Sequence, residues 1–116
     1  MNLVALKRVA DERSSAVERV LRELVRTEAY FGEHREEAVA TVAEKLKTDA
    51  DQLGKVLDDI ELDVALSHAL IVALEDEARG AIDNKLTDVQ GAPEFEQLIA
   101  ADAMRTVKPT AVTIID

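Results

Sequence analysis

The side chains able to do chemistry are few. The chain has two histidines, His34 and His68, and no cysteine. His34 stands in GEHREEA beside Glu33, Glu36 and Glu37. On a helix, His34 and Glu37 share a face at i, i+3. That pair offers two metal ligands where a zinc site takes three or four protein ligands, so the stretch reads as a solvated helix start. His68 follows Ser67 among apolar neighbours, with no local carboxylate or nucleophile to work with. It reads as a surface or partly packed imidazole. Lack of cysteine removes disulfides, zinc-thiolate sites and thiol nucleophiles.

The remaining candidates resolve the same way. DDIELD, at 58–63, is the densest acidic run. A calcium loop needs acids at alternating positions, a glycine and a terminal Glu, and here Ile60 and Leu62 interrupt with no glycine. The run reads as a helix end with solvated charges. Arg19, Arg22 and Arg26 form a basic stripe that could face an anion. Glu18 lies four residues before Arg22, with Glu23 and Glu28 close by, which is the ordinary content of a salt-bridged helix surface. Ser15 and Ser67 are explained as helix caps. There is no glycine-rich phosphate loop and no nucleophile-base-acid set. The chain is expected not to be an enzyme. No catalytic residue, metal ligand or cofactor is assigned, and the ligand-binding residues are unknown.

The elements that would position these groups are helices. Ser15 and Glu18 have capping-box spacing ahead of Val17, Val20, Leu21, Leu24 and Phe31, so a first helix is expected over 15–31 with Gly32 as its stop. Val39, Val42, Ala43 and Leu46 repeat at i, i+3, i+4, i+7, the helix template. Glu36 and Glu37 open that second helix and Lys45 and Lys47 close it, which suits the helix dipole. Thr48 or Asp49 caps a third helix carrying Leu53, Val56, Leu57 and Ile60. Residues 61–66 alternate in polarity and are expected to run extended. Ser67 then caps a fourth helix, with Leu70 or Ile71, Leu74, Ala78 and Ile82 as its stripe, ending near Asn84.

The last thirty residues change character. TDVQGAPEF reads as a loop, FEQLIAADAMRTV as one or two helical turns, and the β-branched Val112, Thr113, Ile114 and Ile115 as a strand or extended tail. A strand needs a neighbour for its backbone groups. The other extended-compatible stretch is NLVAL at 2–6. Either those two pair, or the tail packs on helices, or a partner chain supplies the edge.

Composition agrees with a mainly α fold: a single helical domain over 1–116, with about four amphipathic helices and short extended segments at both ends. Four glycines and two prolines disfavour a turn-rich β fold. The 47% hydrophobic and 33% charged balance is that of a globular chain, and with 3% aromatic residues its core must be aliphatic. A net charge of −10 would be repelled by nucleic-acid phosphates and anionic membranes. The opening apolar run is too short for a signal peptide, and no stretch approaches the ~20 apolar residues of a membrane span. As written, the chain is expected to stay in the cytoplasm, without nucleic-acid partners or membrane insertion.

Read in order, several stretches resemble the C-terminal part of the solute-binding proteins of ABC importers, of the nitrate/sulfonate/taurine and thiamine-precursor type. They are HREEA (34–38), VALSHALIVALEDEARGAIDNKL (64–86), PEFEQLI (93–99) and DAMRTVKPTAVTII (102–115). NLVALKRVADERSSAVERVLRELVRTEAYF, from residue 2, is similar to the segment after that family's second hinge crossing. The motifs are individually weak; their order and spacing carry the resemblance. Where the family often has an aromatic, this chain has Gly80. The resemblance implies a periplasmic or extracytoplasmic parent with two α/β lobes closing on a ligand. This chain would be only the closing segment, a fragment or remnant without a complete cleft. The alternative is a self-standing helical module for homodimerisation or partner binding. Either way, apolar stripes need a cover, from a missing lobe or from a second copy as a homodimer.

Overall fold

The computed structural model describes residues 2–115. It is mainly helical, as expected. Its α-helices are α1 (Lys7–Glu12), α2 (Ser14–Glu33), α3 (Arg35–Leu46), α4 (Ala50–Asp58), α5 (His68–Asp83) and α6 (Asp102–Val107). Two short strands, β1 (Leu66–Ser67) and β2 (Val112–Thr113), and two 3₁₀ turns, Phe95–Leu98 and Pro109–Ala111, complete the described elements. The chain forms two compact units: Arg19–Val64, and Met1–Glu18 together with Ala65–Asp116.

The start of α2 departs from the capping-box expectation. Ser15 lies inside the helix, because the chain arrives already helical from α1. Only Arg13 separates the two, and its carbonyl accepts the Ala16 and Val17 N–H groups at 2.9 and 3.1 Å. A side-chain cap needs an extended entry, and none exists here. Helix α1 itself has no apolar stripe to announce it. A Lys7–Asp11 ion pair of 2.7 Å at i, i+4 spans its exposed face. Gly32 does not stop α2 either; the helix runs to Glu33 and breaks at His34, whose φ and ψ are −131° and 46°.

Within the unit Arg19–Val64, α3 and α4 form a helical hairpin. Small residues on α3 make it tight: Ala38, Val39 and Ala43 are buried, and Gly54 of α4 presents its bare Cα side to Val39. The turn between them needs one left-handed residue, and Lys47 takes it with φ 53°. The Thr48 N–H then reaches back to the Ala43 carbonyl at 3.0 Å, and the Lys47 N–H to Glu44 at 3.2 Å. This is the helix stop usually given to glycine. Of the two expected caps, Thr48 and Asp49, it is Asp49 that caps α4, accepting the Gln52 N–H at 2.9 Å. Leu53 and Leu57 are half-buried. Val56 and Ile60 are exposed, and so is Leu46. Ile60 falls beyond the helix end, so its place in the expected stripe is lost.

In the other unit, β1 and β2 pair in parallel, Leu66 opposite Val112 and Ser67 opposite Thr113. The partner of the C-terminal strand is therefore β1 and not residues 2–6, which form no regular element. Parallel strands need a long crossover, and α5 with the segments after it supplies one between β1 and β2. Ser67 occupies the N-cap position of α5 without a side-chain bond. Ile71 is 1% exposed and centres this unit's core with Ala101 and Met104. Helix α5 closes as α3 does, on a left-handed lysine: Lys85 has φ 55°, and the Leu86 N–H reaches the Ala81 carbonyl at 2.9 Å.

Neither unit covers all its apolar surface. Two compact bodies of these sizes, standing apart, would expose about 7,500 Å². The chain exposes 9176 Å². Leu3, Val4, Leu6, Val20, Val72 and Ile115 are among the large apolar residues left in solvent.

Candidate functional site

The densest gathering of polar and aromatic groups lies where α2 ends and α3 begins. Tyr30, one turn before the break, stacks its ring on His34, with centroids 4.7 Å apart and planes 14° from parallel. The backbone sets this up: the His34 N–H donates to the Tyr30 carbonyl at 2.8 Å, and the His34 carbonyl accepts from Ala38 at 2.9 Å. The Tyr30 hydroxyl is held above the usual tyrosine range. Loss of hydration beside the junction contributes most, and then the hydrogen bond to the Glu37 carboxylate and its negative charge. A tyrosine with a raised pKa stays a neutral donor, which makes it a poor nucleophile or base. Spacing in this cluster is 30, 34, 37, a helical i, i+4, i+7 signal that picks out Tyr30. The sequence reading of histidines, acids, arginines and serines passes over it.

Beside this cluster, Glu23, Arg26, Thr27, Ala29, Tyr30 and Glu33 border an open depression of about 400 Å³. All six belong to α2, so the depression is one helix surface and encloses nothing. Arg26 is taken up by Glu23 through contacts of 2.9 and 3.1 Å. Glu18 and Arg22 are also engaged in polar or charged contacts. The Arg26 end of the arginine stripe is thus committed to its own helix. A second depression, about 280 Å³, is bordered by Glu75, Glu94, Phe95, Glu96 and Gln97. Its acidic rim is unsuited to anions.

The other sequence candidates are dispersed. His68 begins α5, half-buried, with its Nδ1 enclosed and without a hydrogen-bond partner among the described residues. Asp58, first of the acidic run, receives Arg35 at 2.7 Å and so ties the end of α4 to the start of α3. That bridge spans 23 residues and has no local sequence signal. Glu28, expected on a salt-bridged helix surface, accepts the Val64 N–H at 3.1 Å. Among the described residues, no three or more His, Asp or Glu side chains come together as a metal-holding group, and no helix is long and apolar enough to cross a membrane. Compared with known proteins, the chain matches no family model, no curated protein and no solved structure.

Proposed function

We propose that this chain is a non-catalytic relative of the closing helical segment of ABC-importer solute-binding proteins, without a complete ligand cleft of its own. The observation that supports this reading is that four of the resembling stretches, 34–38, 64–86, 93–99 and 102–115, each begin at or just before a structural element, whereas the stretch from residue 2 takes in α1 and ends inside α2. HREEA is the helix break and the opening of α3. Residues 64–86 are β1, α5 and its lysine stop. PEFEQLI contains the 3₁₀ turn Phe95–Leu98, and residues 102–115 are α6, the Pro109 turn and β2. The parallel pairing of β1 with β2 across α5 adds support, because parallel strands joined by a helix are the building unit of α/β lobes.

The reading predicts failure to capture small anions or pyrimidines. Calorimetric titration with nitrate, taurine and a thiamine-precursor pyrimidine is expected to give no binding heat. Micromolar uptake of any of them overturns the proposal, because it demands a cleft that the two open depressions do not supply.

A second reading, a self-standing helical module for self-association, is favoured by one observation: the excess of exposed surface over that of two separate compact bodies. Interfaces of permanent homodimers bury about 2,000–5,000 Å² in total, and the excess per chain is on that scale. A monodisperse dimer by light scattering supports this second reading, and a stable monomer removes it.

A further inference from the structure

We propose that residues 2–6 of one chain add as a strand to the open edge of β2 in a second copy, in a reciprocal exchange. Two unmet needs within one unit point to this. Residues 2–6, Asn-Leu-Val-Ala-Leu, are uncharged and strand-compatible. They are nonetheless coil, with Val4 85% exposed. Among the described residues, no backbone hydrogen bond involves Asn2 to Ala5; the first is the Leu6 carbonyl, which starts α1. Apolar backbone left unpaired in water in this way is ready to pair.

The complementary need is at β2. Its one recorded neighbour is β1, and a two-stranded sheet is marginal alone. Both strands are two residues long, and β1 runs directly into α5 at His68, with Glu61 and Asp63 upstream. Beyond β2, Ile114 and Ile115 follow before the chain reaches Asp116, and Ile115 is 68% exposed. Charge selects the same pair of segments. Each copy carries −10, so two copies repel except where their contact faces hold no acids. Residues 2–6 and 110–115 are such faces. One chain therefore presents both an unpaired strand and an unpaired edge, and a two-fold exchange satisfies each with the other.

This inference does not depend on the relation to binding proteins, and its test is separate from the titrations above. Light scattering on the full chain should give twice the monomer mass. Val4→Pro removes a backbone donor from the added strand and is expected to return the mass to that of one chain, with unchanged helical circular dichroism. A V4C/I115C double variant gives a readout that needs no dissociation, because the native chain has no cysteine. Mild oxidation should link two chains into a covalent dimer, while V56C/I115C, which pairs Ile115 with another exposed valine, should not link. A native monomer, a dimer indifferent to V4P, closure of V4C/I115C within one chain, or equal linking by the V56C control would each overturn the proposal.

Discussion

The Glu28 carboxylate accepts the Val64 backbone N–H at 3.1 Å, joining the middle of α2 to a segment 36 residues later. The bond is partly buried and steers the extended stretch after α4. Hydrogen bonds to charged groups contribute about 1.5–3 kcal/mol. Glu28→Ala should therefore lower unfolding stability by about 1–2 kcal/mol in a urea titration, given incomplete burial. Glu28→Gln, which keeps an acceptor oxygen, should lose less than half of that.

Lys47 and Lys85 hold left-handed backbone, φ 53° and 55°, at the ends of α3 and α5. An L side chain pays for that conformation and glycine does not. Lys47→Gly and Lys85→Gly should each raise stability by about 0.5–1 kcal/mol, after the greater freedom of glycine in the unfolded chain is offset. A fall in the denaturation midpoint on either change would contradict the assigned turns.

Gly54 sits inside α4, where glycine costs about 1 kcal/mol relative to alanine. A Cβ there would meet Val39 Cγ1 at 3.8 Å, an ordinary contact. Gly54→Ala is expected to stabilise by up to about 1 kcal/mol. Gly54→Leu should destabilise instead, by forcing α3 and α4 apart. Paired urea melts of the two variants read the difference in sign.

Ile71 is the most enclosed large side chain, at 1% exposure. Ile71→Ala should cost about 2–5 kcal/mol and Ile71→Val about 0.5–1.5 kcal/mol. In a unit this sparingly packed the alanine variant is expected to lose β1–β2 pairing first, visible as early amide exchange at Leu66 and Val112. Uniform exchange across both units would show that Ile71 is not the local keystone.

Tyr30 should titrate above the ordinary tyrosine value of 10.0. It is the one tyrosine, in a chain without tryptophan, so near-ultraviolet absorbance follows it alone. A folded-state pKa raised above the unfolded one means stability that is fully present below the ordinary value. That contribution is lost as pH rises through the raised value. Glu37→Gln should move the midpoint down towards 10.0, because it removes the carboxylate's charge, and a midpoint unmoved by it would assign the whole shift to lost hydration.

Local sequence was enough for the mainly helical class, for placing the α4 cap at Thr48 or Asp49, for α5 ending near Asn84 and for the turns between residues 95 and 107. Each rests on spacing or on a side chain bonding within four residues, and such contacts are written along the chain. Tertiary structure decided the rest. The strand partner of Val112 is Leu66, a pairing between segments far apart in sequence that no local pattern specifies. The start of α2 follows from α1 arriving helical, a six-residue segment with no stripe to mark it. Arg35 with Asp58 and Glu28 with Val64 meet only when helices far apart in sequence pack, and no local pattern encodes those distances. Tyr30, His34 and Glu37 share one helical spacing, and the structure adds that the imidazole stacks on the phenol ring.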